Sequence, residues 1–508
     1  MNLLSSTSVF SFFTLISRVL GYLRDILIAF FLGASIFADA FFVAFRLPNT
    51  FRRLFAEGTF NAAFIPSYTS ARIENIKKGK KFADDILGSL LLILLLIVTI
   101  VEIFTPHLVY IIAPGFIEND IKFNLAVELT RITFPFLLFV SLSSFFSGVL
   151  NSNNKFAAAA ATPIILNIVL ILSLVLSYKF NLNFVKQLSY GVTLAGILQL
   201  IFLFYITLKF YKPTLIFKIK ADNKVKLFFK KLVPSIFSSG VTQINILIGT
   251  IIASFEAGAV SYLYYADRIY QINLAIAGIA VGTVSLPVLS KAFKNKNLKK
   301  LSNIQSKSFE LCLLLSIPAS FGLILASEEI VNALFGYGSF SKEDVKLTAD
   351  ALKYFGYGVP AFALVKILSN FFFARDNTKT PFNISIVMVS INVSISVSLF
   401  SNFGFVIIPI STSIATWVGV IFYLYLLKQK KSLLLSNQLL PNFLKIIVST
   451  IAMSFILVLA LNVFADYLNY TYKFKVIYLM SIVCFAGIVY LLFCYLLGIL
   501  KIKNYKAN

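Results

Sequence analysis

The feature that most constrains this chain is a series of apolar segments, each about 20 to 30 residues long, separated by short polar breaks. A helix of that length crosses a hydrocarbon core of roughly 30 Å, whereas a barrel strand needs only about 10 residues. Hydrophobic residues make up 59% of the 508 residues and charged residues only 13%, so the chain is more apolar than an ordinary soluble domain. We predict an all-α integral membrane protein.

The polar breaks divide the chain into fourteen predicted transmembrane spans, which places both termini on one side of the membrane. The spans lie near residues 8–32, 37–66, 84–112, 124–150, 156–178, 184–208, 232–253, 260–290, 303–326, 347–373, 381–401, 404–427, 442–465 and 476–500. The loops after the even-numbered spans, with the C-terminus, hold 27 lysines and arginines. The opposite loops hold seven, which are Lys122, Lys179, Lys186, Lys342, Lys346, Lys473 and Lys475. The positive-inside rule then predicts cytoplasmic termini, and the net charge of +24 requires no nucleic-acid partner.

Cysteine and histidine usage argues against metal, haem and disulfide frameworks. The cysteines Cys312, Cys484 and Cys494 lie inside predicted spans without metal-ligand spacing, and His107 is the only histidine. No glycine-rich phosphate-binding loop occurs in the sequence. We therefore predict no cofactor and no bound metal, and ATP hydrolysis by this chain is not expected to drive transport.

The two halves of the chain share an internal repeat. Pro135 and Asn167 match Pro360 and Asn392 at the same offset of 225 residues. Six spans separate the copies, and because six is an even number both copies have the same orientation. The copies are then related by a pseudo-two-fold axis along the membrane normal, as in transporters that rock two six-helix lobes around a central site.

The repeat predicts three domains. Spans 1 to 6 form an N-lobe at residues 1–225, and spans 7 to 12 form a C-lobe at residues 226–435. Spans 13 and 14, at residues 436–508, lie outside the repeat and form an appendage. The predicted fold is therefore two six-helix lobes with two additional C-terminal helices.

Ionisable residues are concentrated in the leading spans of both lobes. Those of most interest are Arg18, Arg24, Asp25, Asp39, Arg52, Glu57 and Arg268. One interpretation places the arginines at headgroups, with the acids as neutralising partners. We favour a wet cavity between the lobes, because an arginine that faces lipid costs a few kcal/mol even on lenient scales. A guanidinium binds phosphate oxygens through a planar fork, so this cavity is expected to accept a phosphorylated anion.

Three stretches carry a resemblance to a known family. They are SRVLGYLRD (Ser17 to Asp25), ADAFFVAFRLPNTFRRLFAEGTFNAAFIP (Ala38 to Pro66) and SYLYYADRIYQ (Ser261 to Gln271). These stretches closely resemble the MurJ (MviN) family of bacterial lipid II flippases, and the likeness in span number and order covers essentially the whole chain. The resemblance implies the fold of the multidrug/oligosaccharidyl-lipid/polysaccharide exporter superfamily, in which spans 13 and 14 form a groove for the lipid tail.

The resemblance also implies a substrate, lipid II, which is the undecaprenyl-diphosphate-linked disaccharide-pentapeptide of peptidoglycan. Lipid II would pass by alternating access, without catalysis, from the cytoplasmic to the periplasmic leaflet of the bacterial inner membrane. We expect a monomer that contacts membrane lipids and works with cell-wall synthesis proteins.

The family's functional residues can be carried over by motif. Its required arginines match Arg18, Arg24, Arg52 and Arg268, and its important acids match Asp25, Asp39 and Glu57. One departure concerns sodium, which some members bind through carboxylates in the second lobe. The corresponding spans of this chain offer Gln243, Asn245 and Asn392 but no central acid.

Two alternatives stay open from the sequence. The same fold serves exporters of other polyprenyl-diphosphate oligosaccharides and of drugs, although a drug/cation exporter should have more acids than arginines in its cavity. A membrane-bound glycosyltransferase or polymerase would need a catalytic carboxylate and usually a sizeable outer loop. The longest predicted outer loop, at about 327–346, is short.

Replacement of Arg24, Arg52 or Arg268 by alanine is expected to abolish function while the protein still inserts, because each change removes a charge-assisted phosphate contact. Lysine should restore function only in part, since it lacks the guanidinium fork. Arg53 is the control, because Glu57 lies one turn away and is predicted to pair with it. Arg53→Lys should therefore complement a depletion strain better than Arg52→Lys does. Full complementation by Arg52→Ala at normal expression would show that Arg52 is only an anchor.

Overall fold

The computed structural model describes residues 3–54, 60–214 and 223–500, and every regular element within these ranges is helical. The first ten helices are α1 (Leu3–Leu32), α2 (Ile36–Leu54), α3 (Phe60–Glu74), α4 (Ile76–Ile103), α5 (Thr105–Ile112), α6 (Asp120–Thr133), α7 (Phe136–Ser152), α8 (Phe156–Phe180), α9 (Phe184–Thr207) and α10 (Asn223–Ala253). The remaining helices are α11 (Ala259–Leu274), α12 (Val281–Lys294), α13 (Leu298–Leu325), α14 (Ser327–Phe335), α15 (Lys342–Phe373), α16 (Lys379–Phe403), α17 (Ile407–Gln429), α18 (Leu439–Val463) and α19 (Lys475–Leu496).

Ten helical stretches among the described residues are long and apolar enough to cross a membrane. The chain is therefore an integral multi-pass membrane protein, as the sequence predicts. One of these stretches, Lys379–Gln429, is 51 residues long and contains two of the predicted spans. The total of fourteen spans stays a prediction.

Asparagine side chains begin several of the helices. In each case the amide oxygen accepts a hydrogen bond from a backbone N–H in the first turn, which satisfies a donor that has no partner within the helix. The caps are Asn75 before α4, Asn119 before α6, Asn183 before α9 and Asn297 before α13. At the start of α15, Ser341 and Asp344 form a reciprocal capping box. These polar caps separate apolar segments that would otherwise run together.

One predicted span contains an irregular turn, and part of another lies outside the described residues. The predicted span at 37–66 contains α2 and the start of α3, and residues 55–59 between them, which include Glu57, lie outside the described residues. The predicted pairing of Arg53 with Glu57 therefore also lies outside them. The predicted span at 260–290 contains α11 and α12, joined by a π-helical turn at Ala275–Ala280. A π turn widens the backbone by one residue per turn and often marks a functional position in a helix.

The chain divides into two compact units, Met1–Val260 and Ser261–Asn508. In the first unit, α10 packs against α2, α3, α4 and α5. The ring of Phe228 lies edge-on to the rings of Phe60, Phe64 and Phe82. The internal repeat assigns α10 to the second lobe instead. The domain limits at 225 and 435 stay predictions. They follow from the repeat in the sequence, whereas the two units are defined by how the helices pack.

In the second unit, α15 is the central helix. It packs against both α13 and α17, and 83% of its most apolar window is buried. By contrast, only 33% of the corresponding window of α18 and 22% of that of α19 are buried. Since the apolar side chains of α18 and α19 remain largely uncovered, these two helices offer a surface suited to lipid.

The C-terminal pair, α18 and α19, is fixed to α13 by the packing of α18 and by a hydrogen bond from α19. The hydroxyl of Tyr490 in α19 donates a buried hydrogen bond of 2.7 Å to the carbonyl oxygen of Leu314 in α13. Near the start of α18, the side chain of Gln305 donates to the Ser432 carbonyl oxygen at 3.1 Å and accepts from the Leu434 N–H at 2.8 Å. Gln305 is fully buried, so these bonds exclude water. The segment that leads into the pair is therefore anchored as well.

A buried lysine holds the other end of the pair. The Lys475 ammonium donates to the Asn332 amide oxygen at 2.8 Å, the Gly336 carbonyl oxygen at 2.7 Å and the Tyr470 carbonyl oxygen at 2.8 Å. It also lies 4.0 Å from the centre of the Tyr337 ring, a cation–π contact. These three oxygens use all three donors of the ammonium. The start of α19 is therefore tied to α14 and the turn that follows it.

Lys475→Met is expected to destabilise the protein by about 1–3 kcal/mol, because three buried oxygens lose their donor. The thermal unfolding midpoint of the purified protein in detergent measures this loss. Lys473→Met is the matched control, since Lys473 is exposed in the same connection, and should change stability by less than about 0.5 kcal/mol. Equal midpoints for both variants would show that the Lys475 contacts contribute nothing.

Candidate functional site

Arg24 and Asp25 form a buried ion pair in α1. The Arg24 Nε and Nη2 atoms lie 3.0 Å and 2.7 Å from the same Asp25 carboxylate oxygen, and Nη1 donates to the Asn167 amide oxygen at 3.0 Å. Arg24 is 7% exposed and Asp25 is 2% exposed. A guanidinium has five N–H donors, so these bonds to described residues leave two, one on each terminal nitrogen, for other acceptors. Arg24 is thus fixed in place and still able to bind an anion.

The close approach of α1 and α8 explains why Asn167 reaches Arg24. Asn167 lies on α8 and its amide nitrogen donates to the Ser17 carbonyl oxygen on α1 at 2.8 Å. Gly21, one turn further along α1, faces the same amide, and a methyl group there would lie 3.6 Å from the Asn167 nitrogen. The sequence analysis names Asn167 only as a position of the internal repeat. Its contact with Arg24, 143 residues away, could not be predicted from the neighbouring sequence.

Arg18 and Arg52 are more accessible than Arg24. Arg18 is exposed and forms no ion pair with a residue in the described ranges. Arg52 is half-buried, and its Nε donates to the Asn49 amide oxygen one turn earlier in α2 at 3.0 Å. The Asn49 amide oxygen therefore helps to orient the Arg52 guanidinium.

Arg268 lies in α11, in the second unit. Its Nη2 donates to the Tyr264 hydroxyl at 3.0 Å, and the guanidinium carbon lies 4.7 Å from the centre of the same ring. The neighbouring Asp267 accepts a hydrogen bond from Gln271. Tyrosine therefore positions this arginine through both a hydrogen bond and a cation–π contact. That Arg268 shares one cavity with Arg24 and Arg52 stays a prediction.

Asp39 pairs with a lysine that the sequence analysis treated only as a loop residue. The Lys122 ammonium in α6 lies 2.6 Å from an Asp39 carboxylate oxygen, and the side chains are 6% and 0% exposed. The same oxygen accepts a 2.9 Å bond from the Gly258 backbone N–H, and Lys122 lies 4.0 Å from the Phe116 ring centre. The only sequence signal was a lysine in the first turn of an apolar helix. Asp39 therefore joins α2 and α6 to the α10–α11 connection.

A second contact supports that connection. The Gly115 backbone N–H donates to the Ser254 hydroxyl at 3.0 Å. A side-chain carbon at position 115 would lie 2.4 Å from the Ser254 carbonyl oxygen, so only glycine fits this approach. The end of α10 is thus held by the turn Pro114–Glu118 as well as by Asp39.

Asn392 lies in a buried cluster of uncharged groups. Its amide oxygen accepts from the hydroxyls of Ser411 and, at 3.3 Å and 3.4 Å, of Thr412 and Ser396. The described residues contain no group of three or more His, Cys, Asp or Glu arranged to hold a metal ion. The groups around Asn392 are therefore uncharged hydrogen-bonding partners.

Solved transporter structures share the overall fold. A structure described as an inward-facing conformation of a multidrug resistance MATE family transporter of the MOP superfamily aligns with 82% of this chain and 95% of its own chain. The TM-score is 0.65 and the sequence identity 16%, so this likeness shows the fold alone. The chain is thus a multi-pass helical membrane protein with this fold.

More similar proteins identify the family. A structure described as "Lipid II flippase MurJ, inward closed conformation" is 28% identical, has a TM-score of 0.83 and covers 96% of this chain and 98% of its own. A family model described as "Lipid II flippase MurJ" matches residues 28–479. A probable lipid II flippase MurJ of Rickettsia prowazekii (strain Madrid E) is 37% identical over 506 residues, which is 99% of each chain. The chain belongs to the MurJ family.

Lys122→Met is expected to destabilise the protein by about 3–5 kcal/mol, because it leaves the buried Asp39 carboxylate without its ammonium. Lys186→Met is the matched control. The Lys186–Glu128 pair is equally short at 2.6 Å, but its side chains are 40% and 46% exposed, so its loss should cost only about 0–1 kcal/mol.

Thermal unfolding of the purified variants measures the difference between the two pairs. The double variant Asp39→Leu, Lys122→Met should recover part of the lost stability, since it removes both buried charges together. A double variant no more stable than Lys122→Met alone would contradict the assignment of a buried ion pair.

Proposed function

We propose that this chain flips lipid II from the cytoplasmic to the periplasmic leaflet of the bacterial inner membrane, for cell-wall synthesis. The observation that carries the proposal is Arg24, a buried guanidinium that Asp25 and Asn167 hold while two N–H groups remain for phosphate oxygens. The chain's membership of the MurJ family supports lipid II as the substrate. Relatives that match nearly the full length of the chain are described as probable lipid II flippases.

The physical task is to move a polar headgroup through hydrocarbon. A diphosphate with a sugar–peptide head cannot cross a bilayer unaided, because its charges lose their hydration. The polyprenyl tail is already soluble in lipid. The protein therefore needs to shelter only the head, and it can do so without forming or breaking covalent bonds.

In this proposal the arginines bind the diphosphate. Arg24, Arg52 and Arg268 contact its oxygens through planar forks, and the exposed Arg18 supports them. Asp25 keeps Arg24 from carrying unopposed charge when no substrate is bound.

Two supporting acids have different roles in the proposal. Asp39 acts at a distance from the phosphate, since its partners are Lys122 and the backbone of Gly258. Glu57 remains a supporting acid on the strength of the family motif.

Alternating access supplies the movement. Two six-helix lobes, related by a pseudo-two-fold axis along the membrane normal, would rock about the bound head. The lipid tail would follow α18 and α19, whose apolar side chains are mostly exposed. Because the C-terminal pair is anchored to α13 and α14, it would move with the second unit as one body.

The membrane potential acts on any step of the cycle that moves charge across the membrane. An inside-negative potential favours outward movement of an anion by about 2.3 kcal/mol per charge per 100 mV. The same potential favours the inward return of a cationic, empty site. A membrane potential can therefore act on the outward step, through the anion, or on the return step, through the empty cationic site.

Depletion of this protein in a cell where it is the only such gene is expected to raise lipid II in the inner leaflet, because the precursor is still made but no longer crosses. Measurement of lipid II in each leaflet tests this outcome. Re-expression of the wild-type chain should clear the build-up, and Arg24→Ala at equal abundance should not.

Other outcomes distinguish the alternatives. An unchanged leaflet distribution of lipid II would count against the proposal. A build-up of a different lipid-linked oligosaccharide would assign the chain to another substrate. Polymerised product formed by the purified protein would indicate an enzyme.

A further inference from the structure

Lys366 is an intramembrane charge that the proposed diphosphate site does not use. It lies within α15, seven residues before the helix ends at Phe373. Its side chain is exposed. It forms no ion pair and no side-chain hydrogen bond with any residue in the described ranges. A lysine placed inside a membrane span at such cost indicates a functional contact.

The position of Lys366 argues against a lipid-facing role. The helix that carries it is the most buried span of the second unit, whereas lipid-facing helices such as α19 expose most of their surface. Its neighbours on both sides are buried, since Ala363 and Ile367 are each fully buried and Asn370 is 9% exposed. Lys366 is therefore an exposed residue between buried positions of α15. We call this part of the helix surface the strip, and it differs from the largely exposed apolar surface of α19.

The strip lies beside the span formed by α11, the π turn and α12, which carries Arg268. Asn370 donates to the Gly282 carbonyl oxygen at 2.7 Å, and a side-chain carbon at Gly278 would lie 3.0 Å from the backbone of Ala363. Lys366 is therefore level with the π turn Ala275–Ala280 and the start of α12. Glycine at position 278, within the π turn, allows the two helix backbones to lie close together here.

Arg268 lies at a different level of the same span. The Tyr270 ring packs on Phe355 and Phe362 at 4.7 Å and 5.3 Å, so Arg268 is level with the region of α15 that precedes Lys366. Gly278 and Gly282, which lie level with Lys366, are 10 and 14 residues after Arg268. That separation is roughly 15–21 Å at 1.5 Å per residue. Lys366 is therefore set apart along the span from a diphosphate bound at Arg268.

We propose that Lys366 binds a carboxylate of the substrate's peptide while the arginines bind its diphosphate. The inference rests on the proposed function, because lipid II is the source of a peptide attached to the same head. An ammonium suits this role, since it is a compact point charge that binds a carboxylate without a required fork. Lys366 and Arg268, both in the second unit, then select a head that carries both phosphate and peptide.

The test compares two ligands and two lysines in the purified full-length protein. The ligands are lipid II and undecaprenyl diphosphate, which lacks the sugars and peptide. Lys366→Met should weaken binding of lipid II by at least about tenfold, the loss expected for one charge-assisted contact, and leave binding of undecaprenyl diphosphate unchanged. Lys353→Met is the matched control, because Lys353 is exposed on the same helix, and should alter neither affinity.

A modified substrate identifies the contacting group. Lipid II with its peptide carboxylates converted to amides should bind the wild-type protein about as weakly as lipid II binds Lys366→Met, and Lys366→Met should not distinguish the amide from the acid. An equal loss of affinity for lipid II and undecaprenyl diphosphate in Lys366→Met would overturn the inference, as would no loss at all. A wild-type protein that binds neither ligand would instead refute the proposed function.

Discussion

The first unit depends on two buried carboxylates that cannot be left uncompensated. An isolated charge in the protein interior costs several kcal/mol, so Asp25 and Asp39 determine what must surround them. Asp25 holds Arg24, and Arg24 reaches Asn167 on α8. Asp39 holds Lys122 on α6 and accepts from the Gly258 backbone. Helices distant in sequence are therefore joined through the contacts of these two carboxylates and their cationic partners.

The second unit shows how strongly the role of a lysine depends on its partners. Lys475 and Lys366 both lie in long apolar helices. The Lys475 ammonium has three oxygen acceptors and an aromatic ring, so it fixes the C-terminal pair and can offer little to a ligand. Lys366 has no such acceptors among the described residues. The same side chain is structural where its donors are used and available for binding where they are not.

Span positions were predictable because hydrophobic length is a strong signal. The predicted spans at 156–178 and 184–208 agree closely with α8, Phe156–Phe180, and α9, Phe184–Thr207. The partners of buried charges were not predictable in the same way. Lys122 and Lys475 were counted as loop lysines, since a charge count treats every lysine between spans as solvated. Their partners lie 83 and 143 residues away, and only tertiary packing brings them together.

The anchoring of the C-terminal pair along one side has a consequence for its evolution. Residues that face α13 and the partner helix, such as Leu457 and Tyr490, are buried in contacts that fix their shape. Residues such as Phe455 and Ile488 are each 63% exposed, and fluid hydrocarbon chains accommodate any apolar side chain in these positions. Substitutions should therefore accumulate on the outer surface as exchanges among apolar residues, while the inner surface changes slowly. Across related chains, the sequences of the two helices would therefore differ on the outer surface and stay similar on the inner surface.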